Sequence, residues 1–135
     1  MLQKKLSVLA LAVAVSLVIG LTGSPQFAQA RPTYKKEFDG LYVKKEPSTP
    51  EEKALAGAAS TAKCNICHIG EKKKERNPYG QALAKLLTKE DAKDVPKIQE
   101  SIKKIEAEKS DGSNPSSPTF GDLLKRGELP AGDTK

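Results

Sequence analysis

The sequence has no tryptophan, one histidine, two cysteines and a single methionine, Met1. Phenylalanine and tyrosine together make up only 4% of the residues. Small domains with so little apolar surface usually need a disulfide, a metal or a cofactor to complete their core. The scarcity of aromatic residues, together with the absence of a recognised motif, also argues against nucleic acid as a partner.

The first 30 residues have the three parts of a secretory signal peptide. Lys4 and Lys5 form a basic start, and the 16 residues from Leu6 to Leu21 form a predominantly apolar run without charge. The small residues Ala28-Gln29-Ala30 form an A-x-A cleavage site. A membrane anchor is the alternative, but a spanning helix needs roughly 20 apolar residues. We therefore predict cleavage after Ala30, export to the periplasm or the extracellular space, and no stable membrane span afterwards. No cysteine directly follows the apolar run, so a lipoprotein anchor is not supported.

Cleavage would leave 105 of the 135 residues, with 21 basic and 17 acidic side chains and a net charge of +4. This length fits one small domain. Residues 31–47 mix lysines with Tyr34, Phe38 and Tyr42, and we predict an N-terminal arm that packs over a domain at 48–135. The mild positive charge is compatible with an acidic protein partner.

Apolar residues recur at helical spacing through most of the remaining chain. Thr49 and Glu52 form a capping box before a helix predicted at 50–62. Asn77 and Asp94 mark the starts of two further helices, and a short helix is predicted near 122–126. Sustained strand alternation is absent, and residues 69–77 and 110–118 are predicted to be loops. The expected class is all-α, with three to four helices.

Every cysteine and the only histidine lie in one pentapeptide, Cys64-Asn65-Ile66-Cys67-His68. C-x-x-C-H is the attachment pattern of c-type haem. The two thiols bind the porphyrin through thioethers, and the adjacent imidazole is a standard axial ligand of the iron. We therefore predict one covalent haem c, bound by Cys64, Cys67 and His68.

Three other interpretations of the pentapeptide are weaker. Zinc usually needs four protein ligands, or three and water, and the three candidates here are too close for one tetrahedron. A thioredoxin-like redox pair needs a βαβ context, which the sequence does not contain. A Cys64–Cys67 disulfide would close a very small loop, stabilise little and leave His68 without a role.

At these residues the chain resembles the cytochrome c family, in particular small exported proteins with one haem motif. The resemblance rests on Cys64, Cys67 and His68, and more loosely on the NPYGQAL segment at 77–83. It implies a small helical domain around one haem. It also implies that the Pro78 carbonyl accepts a hydrogen bond from the axial imidazole, which would fix the tautomer. The alternative for Pro78 is simply the first residue of a helix.

The sequence departs from the family in its second axial ligand. Electron carriers of the family commonly use Met, but Met1 leaves with the signal peptide, and there is no second histidine. The sixth position is therefore empty, bound by water or filled by another group. The candidates are Tyr79, Tyr42, Asn77, a lysine of the 72–74 run, the new N-terminal amine and a group from another chain. A haem without Met ligation is expected to have a lower reduction potential.

Electron transfer through the haem, with a redox partner protein, is the function that these features favour. The charged run Glu71–Arg76 is either a solvated loop or a docking patch, and a docking patch would indicate an acidic partner. The alternatives are a haem-based gas sensor or ligand-binding protein with an open sixth site, and an accessory haem module of a larger complex. No acid–base cluster accompanies the motif, so we do not predict an enzyme.

Overall fold

The computed structural model describes residues 31–132. The predicted signal peptide and its cleavage site lie outside this range and stay predictions. No helix within the described range is long and apolar enough to cross a membrane. In chain order the α-helices are α1 (Pro32–Tyr42), α2 (Pro50–Ala62), α3 (Pro78–Leu86), α4 (Val95–Lys104) and α5 (Phe120–Lys125).

Three short 3₁₀ segments and one small hairpin connect these helices. The 3₁₀ segments cover Lys63–Ile66, Lys89–Lys93 and Ile105–Ala107. The hairpin pairs β1 (His68–Ile69) with β2 (Glu75–Arg76) in antiparallel register, with His68 opposite Arg76. The all-α class is confirmed in its coarse form, although the described chain has five helices rather than three or four. The hairpin lies in a predicted loop, and its two-residue strands are too short to show an alternating pattern.

Side-chain caps fix where the helices begin. The Thr49 hydroxyl accepts a bond from the Glu52 backbone N–H, and the Glu52 carboxylate accepts one from the Thr49 N–H, so the predicted capping box of α2 is confirmed. Asn77 caps α3 and Asp94 caps α4, also as predicted. Thr119 forms a further capping box, and α5 therefore begins at Phe120, two residues before the predicted position.

The core lies where α1, α3, α4 and α5 meet. Ile98, Ile102 and Ile105 are fully buried, as their helical spacing indicates. The Tyr79 ring packs edge-to-face on Phe38 and on Phe120, with ring centroids 5.9 Å and 5.2 Å apart. Aromatic pairs of this geometry are worth about 0.5–1.5 kcal/mol beyond the area that they bury. The few aromatic residues are therefore concentrated at the centre of the molecule.

The segment predicted as an N-terminal arm contains α1, which packs against α4. Phe38 is only 1% exposed and belongs to the same core cluster as the α4 isoleucines. The buried Glu37 carboxylate accepts a hydrogen bond from Gln99 at 2.7 Å. Helix α1 is therefore an integral layer of the fold.

The chain after α5 closes onto the start of α2. Gly127 has φ +78°, and a β-carbon at this position would lie 2.5 Å from the Glu51 carbonyl oxygen. Only glycine combines this left-handed conformation with so close an approach. Leu129 and Pro130 then become buried. The C-terminal segment thus stabilises the helix that leads to the Cys-x-x-Cys-His motif.

Candidate functional site

The Cys-x-x-Cys segment forms a 3₁₀ turn directly after α2. Lys63, the last residue before Cys64, has φ +51°, so the chain changes direction sharply at this point. The Cys67 N–H donates to the Cys64 carbonyl at 3.2 Å and closes the turn. Side chains three residues apart eclipse each other in a 3₁₀ helix. This geometry places the two thiols on one side of the turn, and both are free and partly buried.

The His68 imidazole is buried, with 7% of the residue exposed. Its Nδ1 lies 3.2 Å from the Glu75 carbonyl oxygen, a contact that the β1–β2 hairpin creates. A carbonyl oxygen only accepts, so Nδ1 carries the hydrogen and the Nε2 lone pair remains for a metal. Burial lowers the pKa of His68, which favours the neutral ring. A neutral, oriented imidazole is the form that binds iron.

The family resemblance implied that the Pro78 carbonyl orients His68. In the structure the carbonyl in contact with His68 Nδ1 is that of Glu75. Pro78 is exposed and occupies the first position of α3, which was the alternative interpretation. The reason is the register of the hairpin, which brings β2 alongside the motif before α3 begins. Because the acceptor is a backbone atom, no side-chain signal in the sequence could have identified it.

Asn77 ties α3 to the motif. Its buried amide donates to the carbonyls of Asn65 and Ile66, both at 3.0 Å. Its side-chain oxygen accepts from the Gly80 N–H at 2.9 Å and caps α3. The residue was predicted as an N-cap, and the structure adds that it satisfies two backbone carbonyls within the Cys-x-x-Cys loop.

A cavity of about 980 Å³ opens beside the motif. Its volume is at the upper end of the range for cofactor and ligand sites, about 300–1,000 Å³. The apolar side chains of Ile66, Leu83 and Leu87 line it together with Cys64, Cys67 and His68. Two free thiols, a neutral imidazole and apolar side chains beside one large cavity fit the chemical needs of a covalently attached porphyrin.

Tyr79 does not line this cavity; its ring lies in the aromatic core. Its buried hydroxyl has no hydrogen-bond partner, and burial raises its pKa well above the usual value. Tyr42 and Asn77 are likewise absent from the lining. The Tyr42 hydroxyl donates to Glu106, and the amide of Asn77 is used by the motif loop.

The lysines of residues 72–74 do not line the cavity either. The Lys73 ammonium donates to the Asn65 side-chain oxygen at 2.6 Å and to the Gly70 carbonyl. At least this member of the run therefore stabilises the hairpin rather than offering a charge for docking. Arg31, Pro32, Tyr34 and Lys35 line the cavity from the N-terminal side. Sequence reasoning offered only the N-terminal amine of residue 31 for the site and did not place the other three there.

The chemistry of Cys67 does not suit a thiol redox pair. Burial raises the pKa of the Cys67 thiol to about 12, with the neighbouring Cys64 as a smaller cause. Reactive redox cysteines need a lowered pKa, because the thiolate is the nucleophile.

Within residues 31–132, no group of three or more His, Cys, Asp or Glu side chains is arranged to hold a metal ion.

Positive charge surrounds the cavity. Five of its lining residues are cationic, against one acid, Glu90. Lys89 forms an ion pair with Glu90 at 3.7 Å, and Lys35 pairs with Asp39. An excess of cations in a cavity favours a ligand with anionic groups. The cationic residues are Arg31, Lys35, Lys63, Arg76 and Lys89.

Comparisons of this chain with protein-family models, with curated proteins and with solved structures give no match.

Proposed function

We propose that this chain is an exported, monohaem c-type cytochrome-like protein that transfers electrons. The observation that carries the proposal is the meeting of Cys64, Cys67 and the oriented His68 at one cavity of about 980 Å³. Cys64 and Cys67 would hold the haem through thioethers, and His68 Nε2 would bind its iron. When bound, the haem supplies a one-electron couple between ferrous and ferric iron.

The surrounding residues prepare the chain for this cofactor. The Glu75 carbonyl fixes the tautomer of His68, and such a bond also raises the basicity of a ligating imidazole. Asn77 holds the loop of the two thiols against α3. Leu83 and Leu87 present apolar surface to the cavity and keep water from part of it. These contacts would limit reorganisation around a bound metal.

The charges at the cavity support an acidic redox partner. The cations that line the cavity outnumber its single acid, and electrostatic attraction mainly raises the rate of encounter. Its effect decreases with ionic strength because salt screens exposed charges. An acidic partner would thus dock beside the cofactor rather than at the β1–β2 hairpin that Lys73 stabilises.

The test is production of the full chain, signal peptide included, in a host that attaches c-type haem. The purified protein should show a Soret band and a mass equal to the processed chain plus one haem. Replacing both Cys64 and Cys67 with Ser should abolish covalent attachment, while the matched polar control Asn65→Ser should retain it. A parent protein without a Soret band, with the mass of the bare polypeptide, would refute the proposal.

A ligand-binding haem protein is the second candidate. Among the described residues that line the cavity there is no methionine and no second histidine. This observation favours a weak or exchangeable sixth ligand, as a gas sensor requires. A high-spin ferrous protein that binds CO rapidly would favour sensing, whereas a six-coordinate, low-spin protein in both redox states would favour electron transfer. A role as the accessory haem module of a larger complex is compatible with either spectrum.

A further inference from the structure

The residues that line the cavity form a buried floor and a more exposed rim. Ile66, His68, Leu83 and Leu87 are buried and belong to the floor. The start of α1, at residues 31–35, and the segment 88–90 also contribute to the lining, and none of their residues is buried. These two segments therefore form a part of the rim, where the cavity meets solvent.

Two hydrogen bonds join these two segments at the rim. The Tyr34 hydroxyl donates to the Thr88 carbonyl at 2.5 Å, and the Arg31 guanidinium donates to the Lys89 carbonyl at 3.3 Å. The guanidinium also lies 6.0 Å from the centre of the Tyr34 ring, within the range of a cation–π contact. The two donors therefore support each other. We call this pair of hydrogen bonds the rim latch.

Neither segment of the rim latch is anchored by a buried side chain of its own. The buried residues of α1 begin at Glu37, and the 3₁₀ segment Lys89–Lys93 contains none. Segments with few buried contacts open locally at a small cost in free energy. The exposed lining residues Lys63 and Arg76 belong instead to the Cys-x-x-Cys turn and the hairpin, which Asn77 and strand pairing hold in place. Among these parts of the rim, the latch is the one that can open while the rest of the site stays intact.

We propose that the rim latch gates the cavity, so that its opening limits the entry of ligands larger than a diatomic gas. Tyr34 and Arg31 then determine which ligands reach the haem. This inference rests on the proposed function, because the haem would occupy the floor of the cavity. Both acceptors are backbone carbonyls, and the strength of the latch therefore depends on the side chains of its two donors.

The size of the expected effect follows from the strength of one hydrogen bond. Loss of the Tyr34 hydroxyl should raise the fraction of molecules with an open latch by about 2- to 12-fold. Both bonds lie in exposed surroundings, so water can bind the carbonyls of Thr88 and Lys89 once the donors leave. Opening therefore leaves no buried polar group without a partner, and the fold itself should be retained.

The experiment compares the parent holoprotein with Tyr34→Phe and Arg31→Gln. Tyr42→Phe is the matched control, because it removes another α1 hydroxyl that bonds Glu106 and does not line the cavity. Stopped-flow absorption measures how fast the ferrous proteins bind CO and the bulkier tert-butyl isocyanide. Hydrogen exchange of the same purified proteins, followed by mass spectrometry, measures local opening of residues 31–36 and 88–93.

Both latch variants should bind tert-butyl isocyanide about 2- to 12-fold faster, while CO binding and the control variant stay at the parent rates. Hydrogen exchange in the two segments should accelerate by a similar factor. Isocyanide rates that do not change would overturn the inference, even with faster exchange, and so would equal acceleration of CO and the isocyanide. Tyr42→Phe with the same effect as Tyr34→Phe would overturn it too.

Failure of the proposed function has a different signature, because the Soret band is then missing from the parent protein. The hydrogen-exchange comparison does not require haem and still tests the latch in that case. Unchanged exchange at residues 31–36 and 88–93 in both latch variants would show that the two bonds do not hold the rim, and the inference would fall.

Discussion

A β-carbon at position 80 would lie 2.0 Å from the carbonyl oxygen of Cys67, so α3 touches the backbone of the Cys-x-x-Cys turn at Gly80. The obstacle is backbone on both sides, and no flexible side chain can move out of the way. Gly80 is therefore required for the packing of α3 on the Cys-x-x-Cys turn.

Gly80→Ala is expected to destabilise the protein by about 3 kcal/mol or more, because α3 and the motif must separate. Urea denaturation of the holoprotein measures this loss. Gly57→Ala is the matched control, since Gly57 lies in α2 with open space around it. That variant should gain up to about 1 kcal/mol from helix propensity. Equal stabilities of the two variants would contradict the close contact between α3 and Cys67.

Asn77→Ala should lower the free energy of unfolding by about 2–3 kcal/mol. It removes a helix cap and leaves the carbonyls of Asn65 and Ile66 without their donor. The yield of attached haem should fall as well, because the thiol loop loses its support. Thr49→Ala, which removes the cap of α2, should cost about 1 kcal/mol and leave the haem spectrum unchanged. The prediction is wrong if both variants affect haem attachment alike.

Tyr79→Phe should leave the haem spectrum unchanged, because Tyr79 does not line the cavity. Stability should be unchanged or higher by about 1 kcal/mol, since the variant removes a buried hydroxyl without a partner. Absorption spectra in both redox states test the first expectation, and a thermal melt tests the second. A change of spin state in this variant would restore Tyr79 as a candidate for the sixth ligand.

The apoprotein should show the raised pKa of Cys67 in its reaction with iodoacetamide. Because the thiolate is the reactive form, a pKa of about 12 means that the rate keeps rising with pH well above 9. In the unfolded chain the rate should level off above about pH 8.5. The unfolded state can ionise where the folded state cannot, so stability should decrease as pH rises beyond that value. The measurement uses the Cys64→Ser variant, in which Cys67 is the only thiol. A reaction rate that levels off near pH 8.5 in the folded variant would contradict the burial of the Cys67 thiol.

Much of the helical architecture could be predicted from the sequence, because capping residues are local signals. Thr49, Asn77 and Asp94 each accept a hydrogen bond from the first turn that follows them. The helical spacing of Ile98, Ile102 and Ile105 is a second local signal, and all three residues are buried along α4 and the 3₁₀ segment that follows it. In these places local chemistry and the final fold agree.

The parts that could not be predicted depend on tertiary contacts. The sequence predicted residues 31–47 only as an arm, yet α1 continues through Gly40 to Tyr42, with Phe38 packed in the core. The carbonyl of Glu75 reaches His68 only through the hairpin register. The placement of Arg31 at the cavity depends on bonds to residues 88 and 89, more than 50 positions away.

The contact of Gly127 with Glu51 has a consequence for the order of assembly. A chain synthesised from its N-terminus presents α2 before the last residues arrive to pack on the first turn of that helix. Haem attachment that precedes the arrival of the tail would thus take place on a chain whose α2 is not yet held at its first turn, and docking of the tail would then complete the fold. A premature stop before Gly127 should yield protein that accepts its cofactor but is degraded soon afterwards.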